Sequence, residues 1–208
     1  MNKNLTGILV LAGVIIGVYL VVMNQNVRQS FIPKSAQKES TPSPRVQVTT
    51  ECSGKIIPQL TKGPYYKAGS PMRTSLIEAG VVGEKLTITG FVFDENCKPI
   101  ANAWLDFWQA DGDGVYDNVG YKLRGHQFSD KDGKFVLGTV VPGRYPGRTP
   151  HIHVKIRATQ DSPVITSQLF MPGETQNETD SIFNKDLIMD VKDSQDGKLA
   201  TFNFVIND

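Results

Sequence analysis

The chain has 208 residues, with 22 Lys or Arg, 21 Asp or Glu, 3 His and 2 Cys. Its formal charge of +1 hides a split: residues 1–45 carry five basic side chains and one acid, Glu39, whereas residues 46–208 carry 17 basic and 20 acidic ones. The mildly acidic body argues against a strongly basic nucleic-acid binder, 39% hydrophobic residues against a disordered chain, and two cysteines against a disulfide-stapled miniprotein or an all-cysteine zinc site.

Residues 5–23 (LTGILVLAGVIIGVYLVVM) carry no charge. As a helix they would span about 28 Å, close to the hydrocarbon thickness of a bilayer. The polar Asn24-Gln25-Asn26 that follows offers no small-residue cleavage site, and no cysteine stands here to accept a lipid. Residues 1–24 are therefore expected to be an uncleaved transmembrane signal anchor, a long cleaved signal being the other reading. Gly13 and Gly17 form a GxxxG, a weak sign of helix pairing. Residues 25–50 are polar, with Pro33, Pro42 and Pro44, and read as a flexible tether. Orientation is contested: Arg28, Lys34 and Lys38 outnumber Lys3 and favour an inward body. Cys52 and Cys97 argue the other way, because one disulfide suits an oxidising compartment. Two separate buried thiols stay open, since pairing is not legible in spacing. The expectation is a membrane partner through the N-terminal helix and a body outside the cytoplasm, or a body secreted after cleavage.

Residues 51–208 form the expected globular domain. Residues 85–93 (KLTITGFVF) alternate Leu86, Ile88 and Val92 against polar positions, a strand pattern. Residues 101–110 alternate Ala103, Leu105 and Phe107 against Trp104, Asp106 and Trp108. Further strands are expected at 134–140, 152–158, 164–171 and 199–206, and a short helix at 179–191. Asp111-Gly112-Asp113-Gly114, Asp130-Lys131-Asp132-Gly133, Pro142-Gly143 and Asp196-Gly197 supply turns. Short strands separated by such turns predict an all-β fold, an antiparallel β-sandwich.

His126, His151 and His153 are the three histidines, two of them in Pro150-His151-Ile152-His153. Residues at i and i+2 of a strand share a face, so both imidazoles could reach one metal ion. On spacing alone, a ligand pair and a solvated face are equally good readings. Tyr145 and Arg148 stand just upstream, and Tyr116 closes the turn after Asp111. Tyrosine is ordinarily a packing residue; as a ligand it needs a hard, highly charged cation to draw off its proton, and ferric iron meets that need.

The ordered segments Gln59-Leu60-Thr61-Lys62-Gly63-Pro64-Tyr65-Tyr66, Trp108 to Tyr116, Arg124-Gly125, Pro142-Gly143-Arg144-Tyr145, Arg148-Thr149-Pro150-His151-Ile152-His153 and Thr166-Ser167-Gln168-Leu169 closely resemble the intradiol ring-cleavage dioxygenases, in particular the protocatechuate 3,4-dioxygenase type. The resemblance runs from about Cys52 to Met171. It implies a non-haem Fe(III) cofactor held by Tyr116, Tyr145, His151 and His153. It also implies a catecholic substrate cleaved with O2 between its hydroxyl-bearing carbons to a cis,cis-muconate-type diacid. Tyr145 would leave the metal on substrate binding and act as general base. Arg148 would stabilise charge on the bound ring, and Gln168 would hydrogen-bond near the iron and that arginine. Thr61, Gly63, Pro64 and Tyr65 would line the substrate pocket.

Gly147 departs from the protocatechuate pattern, which has a bulky aromatic there and so implies a tighter pocket than this sequence offers. The anchor stands where catechol and hydroxyquinol enzymes have an extended helical region, so the resemblance carries no oligomeric state. His126 matches no ligand position. Asp111, Asp113 and Asp117 resemble part of a calcium loop but lack its bidentate glutamate, and read as turn formers. Two other functions compete. One is a non-catalytic, transthyretin-like binding module, which has no need of two tyrosines, two histidines and Arg148 in register. The other is a zinc or copper enzyme using the three histidines, which leaves both tyrosines unexplained.

Overall fold

A computed structural model describes residues 51–207; the expected anchor at 1–24 and the tether at 25–50 lie outside the described residues. Among the described residues, no helix is long and apolar enough to cross a membrane. The strands in chain order are β1 (Lys85–Phe93), β2 (Trp104–Trp108), β3 (Arg124–Phe128), β4 (Lys134–Val140), β5 (His151–Arg157), β6 (Ile165–Phe170), β7 (Asp190–Ser194), β8 (Gly197–Thr201) and β9 (Phe204–Val205). They form two sheets, ordered β4-β1-β8-β7 and β3-β2-β5-β6, with β9 also pairing β1.

The period-two pattern explains the layers. Leu86 and Ile88 of β1 and Leu137 of β4 meet Leu105 and Phe107 of β2 and Ile152, Val154 and Ile156 of β5, all 0% exposed, in one core cluster. Burying such side chains contributes about 1.5–3 kcal/mol each, which makes this shared face the main determinant of the sandwich. β2–β3, β2–β5, β5–β6, β1–β4 and β7–β8 are antiparallel, as expected. β8 and β9 depart from the expected antiparallel pattern by running parallel to β1.

The expected strands at 85–93 and 134–140 match β1 and β4 to the residue. The one at 199–206 is broken into β8 and β9. The expected helix at 179–191 does not form. Two 3₁₀ turns, Thr175–Glu178 and Lys185–Leu187, flank a loop, and β7 begins at Asp190. The cause is local competition for backbone donors. Asp180 Oδ1 accepts from the Ile182 amide at 2.9 Å and Asn184 Oδ1 from the Asp186 amide at 3.0 Å, in place of helical carbonyls.

Cys52 and Cys97 are joined by a disulfide, with Cα atoms 5.6 Å apart, which ties the start of the body to the turn after β1. The second face of the β3-β2-β5-β6 sheet points away from the inter-sheet core. Register places Trp108 of β2 and Gln168 of β6 on either side of His153. The candidate site lies on this face.

Candidate metal centre

Pro150 leads directly into β5, so His151 and His153 project from the same face. Both are buried, at 2% and 1% exposure, and their Nε2 atoms lie 3.1 Å apart. The His151 Nδ1–H donates to the Thr149 carbonyl at 2.6 Å, which leaves Nε2 as a lone pair. The Tyr145 hydroxyl sits 3.2 Å from that same Nε2.

Tyr116 and Tyr145 arrive on two loops that glycine lets pack backbone to backbone. A Cβ on Gly143 would lie 2.3 Å from the Gly112 carbonyl oxygen, and one on Gly114 would lie 2.2 Å from the Arg144 carbonyl oxygen. Gly114 also has φ +81°. The Gly143 amide donates to the Asp111 carbonyl at 2.7 Å, and Asp111 Oδ1 accepts from the Asp113 and Val115 amides. Asp117 likewise accepts from the Val119, Gly120 and Lys122 amides, so these acids form turns as expected. The two phenol rings meet edge to face at 5.7 Å.

Arg148 reaches Tyr145 Oη at 3.4 Å through Nη1 and Gln168 Oε1 at 2.6 Å through Nη2. Gln168 Nε2 in turn donates to the Thr61 carbonyl at 3.0 Å. The segment containing Thr61, Gly63, Pro64 and Tyr65 closes over the cluster. Gly63 lies against the His153 ring, and Tyr65 stacks on Tyr116 at 4.3 Å and meets Tyr145 edge-on at 6.2 Å. Pro64 is exposed within the same segment, and the space beside Gly147 is open.

The sequence brings these residues forward, and with them Trp108 and Arg124 inside the family-like segments but without a role; Asp180 it does not single out. Arg124, 2% exposed, donates from Nη1 to the Tyr65 carbonyl at 2.6 Å and from Nε and Nη2 to the Asp117 carbonyl. It thereby joins the Tyr65 segment to the Tyr116 loop. Trp108 lies flat on His153. Asp180 accepts from Arg148 Nε at 2.9 Å. His126 stays outside the cluster and pairs through Nδ1 with the Ser70 carbonyl at 2.7 Å.

Burial, aided by the Arg148 charge, pushes the His151 imidazole down to about 4. Burial and the neighbouring His151 push His153 well below its ordinary value. Both rings are therefore neutral lone-pair donors near pH 7. Burial raises the Tyr116 phenol, and Tyr145 beside it adds to the rise. Burial also raises Tyr145, against the opposing pull of Arg148.

The donor set fits a hard trivalent cation. The Tyr116 hydroxyl is buried with no hydrogen-bond partner of good geometry, an orphan that a metal bond would satisfy. The His151 and His153 Nε2 atoms, 3.1 Å apart on one strand face, would supply two neighbouring nitrogen ligands to that cation.

Fold and site together define a β-sandwich protein with a mixed phenol–imidazole cluster on an outer sheet face. A family model described as Dioxygenase matches residues 61–208. The chain is 28% identical to the chlorocatechol 1,2-dioxygenase of Rhodococcus opacus, over 70% of each. It is 29% identical to the hydroxyquinol 1,2-dioxygenase of Nocardioides simplex, over 72% of this chain and 57% of that one. Among solved structures it matches the dioxygenase domain of a dioxygenase–carbohydrate-binding fusion from Streptomyces sp. SirexAA-E. That match has 49% identity and a TM-score of 0.71, and covers 74% of this chain and 99% of the other. The chain belongs to the intradiol ring-cleavage dioxygenase family.

Proposed function

We propose that the protein is a non-haem, Fe(III)-dependent intradiol dioxygenase that cleaves catecholic aromatics with O2 to cis,cis-muconate-type diacids. The observation that carries this reading is the meeting of Tyr145 Oη, His151 Nε2 and His153 Nε2 within 3.2 Å steps, beside the unpartnered Tyr116 hydroxyl. Tyr116, Tyr145, His151 and His153 would hold a ferric ion there, which would supply Lewis acidity toward a catecholic substrate.

The chain's own groups do the rest. Tyr145, as phenolate, accepts a proton from a substrate hydroxyl, and Arg148 beside its oxygen favours the anion. The Arg148 guanidinium stays charged throughout and stabilises negative charge spread over the ring. Tyr65, Trp108 and Gly63 cover the cluster and limit water. The balance closes without a further reductant: the ring C–C bond between the two oxygenated carbons breaks, and both atoms of O2 enter the diacid.

The proposal extends to location. The apolar run at 5–23 anchors the chain, and the body works outside the cytoplasm, where the Cys52–Cys97 disulfide is stable.

The test is turnover by the full-length protein, loaded with ferric iron in detergent, of catechol, protocatechuate and hydroxyquinol under 18O2. We expect a ring-opened diacid carrying two labelled oxygens. No diacid from any of the three, or a single labelled atom, would overturn the reading.

A further inference from the structure

We propose that Asp180 is a positioning residue for Arg148, and that its carboxylate sets the aim of the guanidinium at the cluster. The inference rests on the dioxygenase reading above and adds to it a residue with no ligand or substrate contact.

Asp180 lies in the loop between the two 3₁₀ turns, and its side chain is 1% exposed. Oδ2 accepts from Arg148 Nε at 2.9 Å and from the Thr149 amide at 3.0 Å, while Oδ1 accepts from the Ile182 amide. One carboxylate therefore grips two consecutive residues just before the histidine pair. Burial alone would raise its pKa, but these hydrogen bonds, with the Arg148 charge, hold it below the usual range.

The geometry of the fork gives the grip its meaning. A guanidinium has five donors in one plane, so fixing Nε fixes the direction of both Nη atoms. With Nε on Asp180, Nη1 faces Tyr145 Oη and Nη2 faces Gln168 Oε1. Without that anchor, a long flexible cation next to a multivalent metal would be repelled toward solvent. The Asp180 charge also makes the pair neutral, which lowers the cost of keeping Arg148 beside a second cation.

The same strap steadies Thr149. Asn177 Oδ1 accepts from Thr149 Oγ1 at 2.6 Å, and Asn177 Nδ2 donates to the Met171 carbonyl. Thr149 is 0% exposed, and its carbonyl orients His151. The unexpected loop at 179–184 thus acts as a brace for the site.

The experiment uses the full-length chain. Asp180→Asn keeps the shape and removes the charge. With iron bound, we expect kcat on catechol to fall tenfold or more with KM changed less than threefold, since the arginine acts on charge that develops in the reaction. In an Arg148→Gln background the same substitution should cost less than twofold. A brace that served only folding would cost the same factor in both backgrounds, and that additive result would overturn the proposal.

The second readout needs no iron and no turnover. In the metal-free protein, solvent exchange of the Arg148 Nε–H should quicken tenfold or more in Asp180→Asn, and an unchanged rate would overturn the proposal. If the wild-type chain turns over no catechol, the dioxygenase reading fails while this measurement still decides the role of Asp180. Should Asp180→Asn not fold, the wild-type comparison stands. Arg148 Nε–H should exchange at least tenfold more slowly than the Nε–H of Arg144, whose side chain is 55% exposed against 13% for Arg148. Equal rates would sink the inference.

Discussion

Trp108 lies flat on the ring of His153, with centroids 4.7 Å apart and planes 6° from parallel. The two imidazoles of the cluster are held in different ways. His151 is oriented by the hydrogen bond from its Nδ1 to the Thr149 carbonyl, whereas the buried Nδ1 of His153 has no partner. Stacking on Trp108, with Gly63 against the other part of the ring, holds His153 instead.

Trp108→Leu should therefore loosen His153 and weaken iron binding by about 10–100-fold, the range seen when support behind a metal ligand is removed. His153→Ala should lose the iron outright. Iron retained against a chelator measures both; full occupancy in the His153 variant would remove that residue from the ligand set.

Tyr145→Phe removes the hydroxyl that lies within reach of both His151 Nε2 and Arg148 Nη1. Loss of a general base lowers turnover by about 10²–10⁴-fold. The variant should also lose part of the visible tyrosinate-to-iron absorption. Wild-type turnover in Tyr145→Phe would show that some other group takes the substrate proton.

Gly143→Ala tests the closeness of the two tyrosine loops. The added methyl would meet the Gly112 carbonyl oxygen at 2.3 Å and the Gly114 nitrogen at 2.4 Å, both backbone atoms that cannot swing aside. We expect about 1–3 kcal/mol of destabilisation, as for overpacking elsewhere, together with weaker iron binding as Tyr116 and Tyr145 move apart. A variant with unchanged melting temperature and iron content would show that the loops have slack.

These expectations reflect what was legible in the sequence. β1 and β4 could be read to the residue because their apolar positions alternate over seven or more residues. β3 was missed because RGHQF has little apolar content. Its Arg124 is buried by bonding to the carbonyls of Tyr65 and Asp117, a pairing only the folded chain reveals. β7, DVKDS, is an exposed edge strand with the same weakness. In the site, His151, His153, Tyr116 and Tyr145 stood out by residue type and by family motif. Asp180 did not, because it fell within the expected helix at 179–191 and its partners lie about thirty residues upstream.

The outer sheet face also carries a buried acid unconnected to the cluster. Asp106, 2% exposed, accepts from Ser70 Oγ at 2.7 Å and from Tyr66 Oη at 3.3 Å. Burial raises its pKa, although the Ser70 and Tyr66 hydrogen bonds and the His126 and Lys155 charges oppose the rise. A raised folded-state value means the folded protein binds this proton more tightly than the unfolded chain. The associated stability is full below about pH 3.9 and is lost as pH rises through the folded value. Asp106→Asn, which has no charge to desolvate, should gain on the wild type as pH is raised from 4 to 7. Urea unfolding of both proteins across that range decides it, and parallel curves would refute the account.

Cys52→Ser opens a loop closed across a sequence separation of 45. Loop-closure entropy gives about 4 kcal/mol as the upper estimate for such a link, with 2–4 kcal/mol typical. Thermal unfolding with and without reductant should reproduce this loss in the wild type and leave the variant unmoved. A wild type indifferent to reductant would show that the link adds nothing.

The pairing of β1 with β8 and β9 gives assembly of the body a definite order. β1 runs between β4, its near neighbour in the chain, and β8, more than a hundred residues later. Parallel, distant pairings of this kind form slowly, because a long loop must close before any contact rewards it. One of the two layers therefore stays incomplete until residues 197–205 have been synthesised, while β2, β3, β5 and β6, the sheet bearing the histidines, can already pair. The sheet bearing the imidazoles can pair while the opposite wall still consists of β1 and β4 alone, and the part of its hydrophobic underside left uncovered needs shielding for that interval.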